Sequence, residues 1–200
     1  MSKTRVIASI VVLAAVALTA CAPQEPAPPA AARPKGYLFI VGGGDRDEPL
    51  MRRYVDLAKR DGPAKIVVFT MASGVPLETG PGLVAELKGY GVEDVAYFHL
   101  TRAEAMDPAN VKILDGATGV WFSGGDQARQ TAALLGTPLH KKMLELYADG
   151  CLLGGTSAGA AVMSEFMITG DERRTENKEG TWEVIWADDV LHSEGFGFVK

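Results

Sequence analysis

Short apolar runs that end in glycine or other small residues alternate with helical patterns from residue 36 onward. The runs have the length of strands and cover residues 36–41, 65–70, 95–99, 119–122 and 151–154. Helical periodicity and capping residues predict helices near 47–60, 81–90, 127–135 and 137–150. This β/α alternation predicts an α/β fold, in which a mostly parallel sheet is sandwiched between helices on both faces.

Composition narrows the possible functions. The sequence has 20 Lys and Arg residues and 25 Asp and Glu residues, which gives a formal net charge of −5. This charge is unfavourable for nucleic-acid binding and compatible with a cationic substrate. The Cys and His residues lack metal-ligand spacing, so we expect neither a metal nor a cofactor. Cys151 lies in an apolar run and is expected to be a buried free thiol.

The N-terminal segment predicts export and anchoring. Residues 1–20 carry Lys3 and Arg5 before an apolar run, as a secretory signal peptide does, and the order Leu-Thr-Ala-Cys at 18–21 resembles a lipobox. Cys21 is then the expected lipidation site, and the Pro/Ala-rich residues 21–35 form a tether before the domain of residues 36–200. We therefore expect a cell-envelope lipoprotein, anchored in the membrane by lipid; an ordinary signal peptide with a nearby cysteine is the alternative.

One serine stands between glycines where the last apolar run meets a helix. Gly155-Thr-Ser157-Ala-Gly159 has the G-x-S-x-G form of a nucleophile elbow, in which glycines allow strand and helix to approach and expose the serine hydroxyl. The alternative is a tight turn whose serine caps the next helix. The strand and helix context favours Ser157 as a catalytic nucleophile.

Other loops should meet the elbow at the same edge of the sheet. Ligands bind at the carboxyl ends of parallel strands, where the loops 42–46, 71–74 and 123–127 also lie. An oxyanion hole uses the amide of the residue after the nucleophile together with an amide from a neighbouring strand end, roles that Ala158 and Gly125 fit. The glycine triplet 42–44 lacks a phosphate-binding pattern and is interpreted as a close-packed loop.

The motifs at 122–127 (Phe-Ser-Gly-Gly-Asp-Gln) and 154–160 (Gly-Gly-Thr-Ser-Ala-Gly-Ala) resemble those of the cyanophycinase and peptidase E family of serine peptidases. The resemblance implies a class I glutamine-amidotransferase-like fold, Ser157 as nucleophile, Gly125 and Ala158 in the oxyanion hole, and Gln127 in contact with substrate. It also implies hydrolysis of aspartyl peptide bonds, and for the cyanophycinase branch release of β-aspartyl-arginine from multi-L-arginyl-poly-L-aspartate.

The catalytic base is not among the matching motifs. In the family an Asp-Gln-His motif follows a segment like Gly195-Phe-Gly-Phe198, so we expect the histidine and the acid beyond Lys200, in a longer protein of which these residues are the N-terminal part. The sequence itself contains three histidines. His99 is expected to be partly buried and held by local hydrogen bonds, His140 to face solvent, and His192 to be a weak candidate among acidic residues.

The sequence is compatible with two other functions. A non-catalytic envelope lipoprotein could keep the fold and bind aspartyl or arginyl peptides. A classical α/β-hydrolase could also use the elbow, although the motif at 122–127 would then be unexplained. A homodimer is compatible with the fold class.

Overall fold

The computed structural model describes residues 34–60, 62–172 and 190–199. Its centre is a sheet of five parallel strands in the order β1-β5-β4-β2-β3. The strands are β1 (Tyr37–Val41), β2 (Lys65–Phe69), β3 (Asp94–Phe98), β4 (Gly119–Phe122) and β5 (Leu152–Thr156). The predicted parallel α/β sheet is therefore confirmed, with the elbow at the end of a strand that lies between two others.

Helices cover both faces of the sheet. They are α1 (Glu48–Lys59), α2 (Pro76–Gly89), α3 (Arg102–Met106), a 3-10 helix (Pro108–Leu114), α4 (Gln127–Leu134), α5 (Pro138–Ala148) and α6 (Ala158–Ala161). Alternate residues of β2 divide between two cores: Val67 packs with residues of α4 and α5, and Ile66 with residues of α1 and α2. This alternation places the carboxyl ends of the strands at one open edge, between two helical layers.

Helix α1 forms where its cap and its apolar stripe coincide. The Asp47 carboxylate accepts a hydrogen bond from the amide of Leu50 at 3.0 Å, which satisfies one of the free amides of the first turn. Met51, Tyr54, Val55 and Ala58 form the buried face. The cap fixes the start of the helix directly after the loop that follows β1.

Two helical features differ from the sequence prediction. Helix α2 begins at Pro76, not at Pro81, which lies inside it. Pro81 is exposed, so the Leu77 carbonyl that its missing amide leaves free lies on the solvent side of the helix. Helix α3 was not predicted, although Thr101 and Glu104 form a capping box at its start.

The chain after α6 forms an antiparallel ribbon and then returns to the domain. Strands β6 (Phe166–Glu172) and β7 (Val190–Glu194) pair with each other, not with the central sheet. Residues 195–199 fold back: Phe196 and Phe198 are buried, and their rings lie 5.5 Å and 6.3 Å from that of Phe122. This aromatic cluster closes the core on the α4 and α5 side.

No helix in the described ranges has the length and apolar character needed to cross a membrane. The predicted signal peptide, Cys21 and nearly all of the tether lie outside the described residues.

Candidate active site

Ser157 has the backbone of a nucleophile elbow. Its φ of 52° and ψ of −112° are unusual for a residue with a side chain, and only Arg60 shares a positive φ among the described non-glycine residues. Its amide donates to the Val41 carbonyl at 2.9 Å, which ties the turn to the neighbouring strand. The serine is exposed although β5, which leads to it, is buried throughout. The turn therefore presents the hydroxyl at the sheet edge.

The flanking glycines are required by close backbone contacts. A Cβ on Gly155 would lie 2.5 Å from the Gly159 carbonyl oxygen, and a Cβ on Gly159 would collide with the Phe122 carbonyl oxygen and lie 2.7 Å from its carbon. Real Cβ atoms do not approach so closely. The glycines thus allow α6 to pack against β4 and β5, as the elbow motif predicts.

Two further glycines lie beside the Ser157 side chain. A Cβ on Gly43 would lie 3.7 Å from the Ser157 Cβ, and one on Gly124 would lie 3.6 Å from it. The residues 42–44 are exposed, so the prediction of a close-packed loop is wrong. The loop leaves open space above the serine, which gives a substrate access to it.

The two proposed oxyanion donors lie in loops that the fold positions tightly. Gly125 has a φ of 134°, and a Cβ there would lie 2.5 Å from the Ala72 carbonyl carbon. The same carbonyl accepts the Asp126 amide at 2.9 Å, so the loop after β4 is bound to the loop after β2. Within the described part of the chain, neither the Gly125 amide nor the Ala158 amide donates to a protein acceptor. Both amides are available to an external oxygen.

Gln127 begins α4 immediately beside this loop. Asp126 caps the helix, accepting from the amides of Ala128 at 2.8 Å and Arg129 at 3.2 Å. The Gln127 side-chain nitrogen donates to the Ile168 carbonyl of β6 at 2.8 Å. This bond anchors the amide nitrogen to the ribbon, while the amide oxygen accepts no hydrogen bond from the described residues and is the atom available to a substrate.

Two of the three histidines differ from expectation in how far they are buried. His99 is exposed, and its Nδ1 lies 3.2 Å from the Thr70 carbonyl, so the predicted local hydrogen bond is confirmed but not the partial burial. His140 is buried at 8 % exposure, so the prediction that it faces solvent is wrong. His192 is exposed on β7, paired with Ile168. None of them hydrogen-bonds to the Ser157 hydroxyl within the described ranges.

His140 joins α5 to the returning segment. Its Nδ1 accepts from the Gly136 amide at 3.2 Å, so Nε2 carries the proton and donates to the Phe196 carbonyl at 2.9 Å. Burial lowers the pKa of His140 from its ordinary value, against the smaller opposing effect of the Phe196 carbonyl. The imidazole is therefore a neutral structural link. The apolar periodicity of α5 does not predict this link.

Cys151 matches its prediction of a buried free thiol. Burial raises its pKa to about 12, so the thiol is protonated and unreactive near neutral pH. The described residues contain no cluster of potential metal ligands.

The sequence did not predict the cavity that lies beside the elbow. It has a volume of 330 Å³, and Arg46, Glu86, Ser123 and Gly124 are among the residues that line it. Arg46 and Glu86 form an ion pair of 2.9 Å across the cavity wall. The ion pair joins the loop after β1 to α2. No motif in these two segments predicts the contact between them.

Comparison with known proteins places these features in a family. The sequence profile of peptidase family S51 matches residues 85–184, which include the loop after β4 and the elbow. The cyanophycinase of Nostoc sp. is 30% identical over 141 residues, covering 68% of this chain and 47% of that protein. The cyanophycinase of Synechococcus elongatus is 34% identical over 138 residues, covering 67% and 43%. The chain thus spans about half the length of the curated relatives it matches.

A solved structure supports the fold. The crystal structure of a peptidase from an acI-B1 Actinobacterium matches with a TM-score of 0.64 at 23% identity, over 84% of this chain and 66% of that one. At this identity the match establishes the shared architecture, which agrees with the predicted glutamine-amidotransferase-like α/β fold.

Proposed function

We propose, since this chain belongs to peptidase family S51, that the protein is a serine peptidase whose nucleophile is Ser157. The observation that carries the proposal is the conformation of Ser157: a positive φ at a strand-to-helix turn, with the hydroxyl exposed between two glycine loops. A turn that only capped α6 would hydrogen-bond through the serine side chain, and Ser157 makes no such cap bond.

In the proposed reaction the Ser157 hydroxyl oxygen attacks the carbonyl carbon of the scissile peptide bond. The carbonyl oxygen becomes an oxyanion that accepts hydrogen bonds from the amides of Gly125 and Ala158. The serine proton passes to a base, which protonates the amine as the C–N bond breaks; a water molecule then hydrolyses the acyl-serine ester and releases the other product. No described histidine contacts Ser157, so the proposal assigns the base to a residue outside the described ranges. Gln127 would bind the substrate through its amide oxygen.

The proposed substrate is cyanophycin, with release of β-aspartyl-arginine dipeptides. The support is the similarity to two cyanophycinases over about two thirds of this chain. The formal charge of −5 favours approach of a substrate rich in arginine. Hydrolysis of shorter aspartyl peptides is the broader activity that the same site would support.

Turnover of cyanophycin by the whole protein tests this proposal. Mass spectrometry should detect β-aspartyl-arginine with the wild type and none above background with Ser157→Ala. Ser164→Ala is the matched control, because the partners of the Ser164 hydroxyl among the described residues are the carbonyls of Ala161 and Phe166, which share its proton, so the hydroxyl should not be needed for turnover. Dipeptide release by Ser157→Ala would refute the assignment. Cleavage of aspartyl peptides without cleavage of cyanophycin would refute only the polymer as substrate.

We also propose that the protein is lipid-anchored in the cell envelope through Cys21. The support is the sequence at 18–21 and the Pro/Ala-rich segment that follows it. Expression in a Gram-negative host should give a membrane-bound protein with an acylated N-terminal cysteine. Cys21→Ser should lose both the acyl mass and the membrane association; unchanged fractionation would contradict the proposal.

A further inference from the structure

Helix α2 is held firmly against the sheet. Gly80 lies so close to Tyr97 of β3 that a Cβ on the glycine would collide with the tyrosine ring. Leu83 and Leu87, one and two turns further along the same face, are buried. The helix is therefore a fixed element of the core, and loops at the sheet edge that contact it are fixed with it.

The loop after β1 is anchored to α2 by Arg46. Residues 42–45 are exposed, whereas the Arg46 guanidinium carbon lies 5.9 Å from the centre of the Trp121 ring and its Nη2 donates to Glu86 at 2.9 Å. The side chains of the ion pair are only 24% and 21% exposed, so solvent and salt screen it less than a surface pair. Glu86 thus fixes the end of an otherwise exposed loop.

The same loop begins at the hydrogen-bond acceptor of the Ser157 amide. The Val41 carbonyl accepts that amide at 2.9 Å, and in the described part of the sheet β1 pairs with β5 alone. The positive φ of Ser157 is a strained conformation, which persists only where neighbouring groups hold it. A shift of the loop would move the Val41 carbonyl and loosen the turn that presents the nucleophile.

The loop after β2 is anchored to the same helix by Thr79. The Thr79 hydroxyl lies 2.7 Å from the Ser73 hydroxyl, and the two form a hydrogen bond. The preceding residue, Ala72, accepts the Asp126 amide at 2.9 Å and so holds the loop that carries Gly125. The Thr79 contact therefore reaches the proposed oxyanion donor through two successive hydrogen bonds.

We propose that Glu86 and Thr79 are positioning residues, through which one helix holds both halves of the active site. Glu86 fixes the turn that presents Ser157, and Thr79 fixes the loop that presents the Gly125 amide. The inference rests on the proposed function, because Ser157 and Gly125 have their catalytic roles only there. The two contacts run through different loops, so removing one should disturb its own half of the site and spare the other.

Amide hydrogen exchange, measured by NMR on the whole protein, tests the two contacts separately. Glu86→Ala should speed exchange of the Ser157 amide about fivefold, the factor that corresponds to the loss of one ordinary hydrogen bond. Thr79→Val should speed exchange of the Asp126 amide by a similar factor, and Thr79→Ser, which keeps the hydroxyl, should not. Each variant should leave the other amide unchanged. Glu78→Ala is the matched control, because Glu78 is an exposed residue of α2 outside both contacts.

The rate of Ser157 labelling by a fluorophosphonate probe relates this positioning to the chemistry. Glu86→Ala and Thr79→Val should each be labelled at least about tenfold more slowly than the wild type, because small misplacements of reacting groups can cost up to about a hundredfold in rate. Glu78→Ala and Thr79→Ser should be labelled at the wild-type rate. The rates are compared at a temperature at which circular dichroism shows every variant folded, where a purely structural role would leave them unchanged.

The pattern across the two amides separates the outcomes. Unchanged exchange at both amides, or equal acceleration of both by either variant, would overturn the proposal. Labelling of Glu86→Ala and Thr79→Val at the wild-type rate would also overturn it. A wild type that neither cleaves cyanophycin nor labels at Ser157, but keeps the separate responses of the two amides, would refute the proposed function and leave α2 as the element that positions both loops.

Discussion

Gly159→Ala should destabilise the domain, although alanine is the better helix former. The new Cβ would collide with the Phe122 carbonyl oxygen and lie 2.9 Å from the Phe122 Cβ. Phe122 belongs to β4, which is hydrogen-bonded to strands on both sides, so its backbone cannot retreat without breaking the sheet. The strain therefore falls on the turn that carries Ser157.

The balance of energies fixes the sign of this effect. Overpacking in a core typically costs about 1–3 kcal/mol, and a collision with backbone belongs at the upper end. Replacing glycine by alanine inside a helix returns at most about 1 kcal/mol, and α6 is a single short turn. The net loss of about 2 kcal/mol corresponds to a Tm lower by about 4–8 °C for a domain of this size.

Thermal unfolding followed by circular dichroism measures this loss. Gly42→Ala is the matched control, because Gly42 lies at the same sheet edge and a Cβ there meets no atom within 4 Å. We expect the control to unfold within about 1 °C of the wild type, as surface substitutions usually do. An equally small change for Gly159→Ala would show that α6 does not pack against β4 as described.

Three other measurements address the surroundings of the site. In urea unfolding, stability should fall as the pH drops below about 6.5, because the unfolded state then protonates His140 while the folded state, with its lowered pKa, resists the proton. His140→Gln should weaken this pH dependence; a His140→Gln protein with the wild-type slope would contradict the neutral Phe196 link. Cys151, whose pKa burial raises to about 12, should react with iodoacetamide at pH 8 only after unfolding, and rapid alkylation of the folded protein would refute its burial. Asp126→Ala should cost about 1 kcal/mol in urea unfolding through loss of the α4 cap, whereas Asp45→Ala in an exposed loop should change little; equal stabilities would contradict the capping role.

Local sequence signals were sufficient to predict the strands and the elbow. The three inner strands, β2, β4 and β5, are buried apolar runs, and such runs are recognisable in the sequence because both faces of the strand are buried. The elbow was predictable because its glycines serve contacts within a few residues of Ser157 and with the adjacent strand. The capping residue Thr137, followed by Pro138, likewise located the start of α5.

Other features depend on contacts between distant segments, and their sequences hold no local sign of them. His140 follows Leu139 on α5 and looks solvent-facing until Phe196 folds back over it. Arg46 and Glu86 meet only because the loop after β1 lies against α2. The start of α2 was misplaced because Pro81 resembles an N-terminal residue, although an exposed proline is tolerated inside this helix.

Labelling with a fluorophosphonate probe tests the central claim, that Ser157 is an activated nucleophile, most directly. Peptide mass spectrometry of the whole protein should locate a single adduct on Ser157. Ser157→Ala should show no adduct while keeping the wild-type Tm, and Ser164→Ala should be labelled normally. Labelling that persists in Ser157→Ala, or a folded wild type that does not react, would contradict the account.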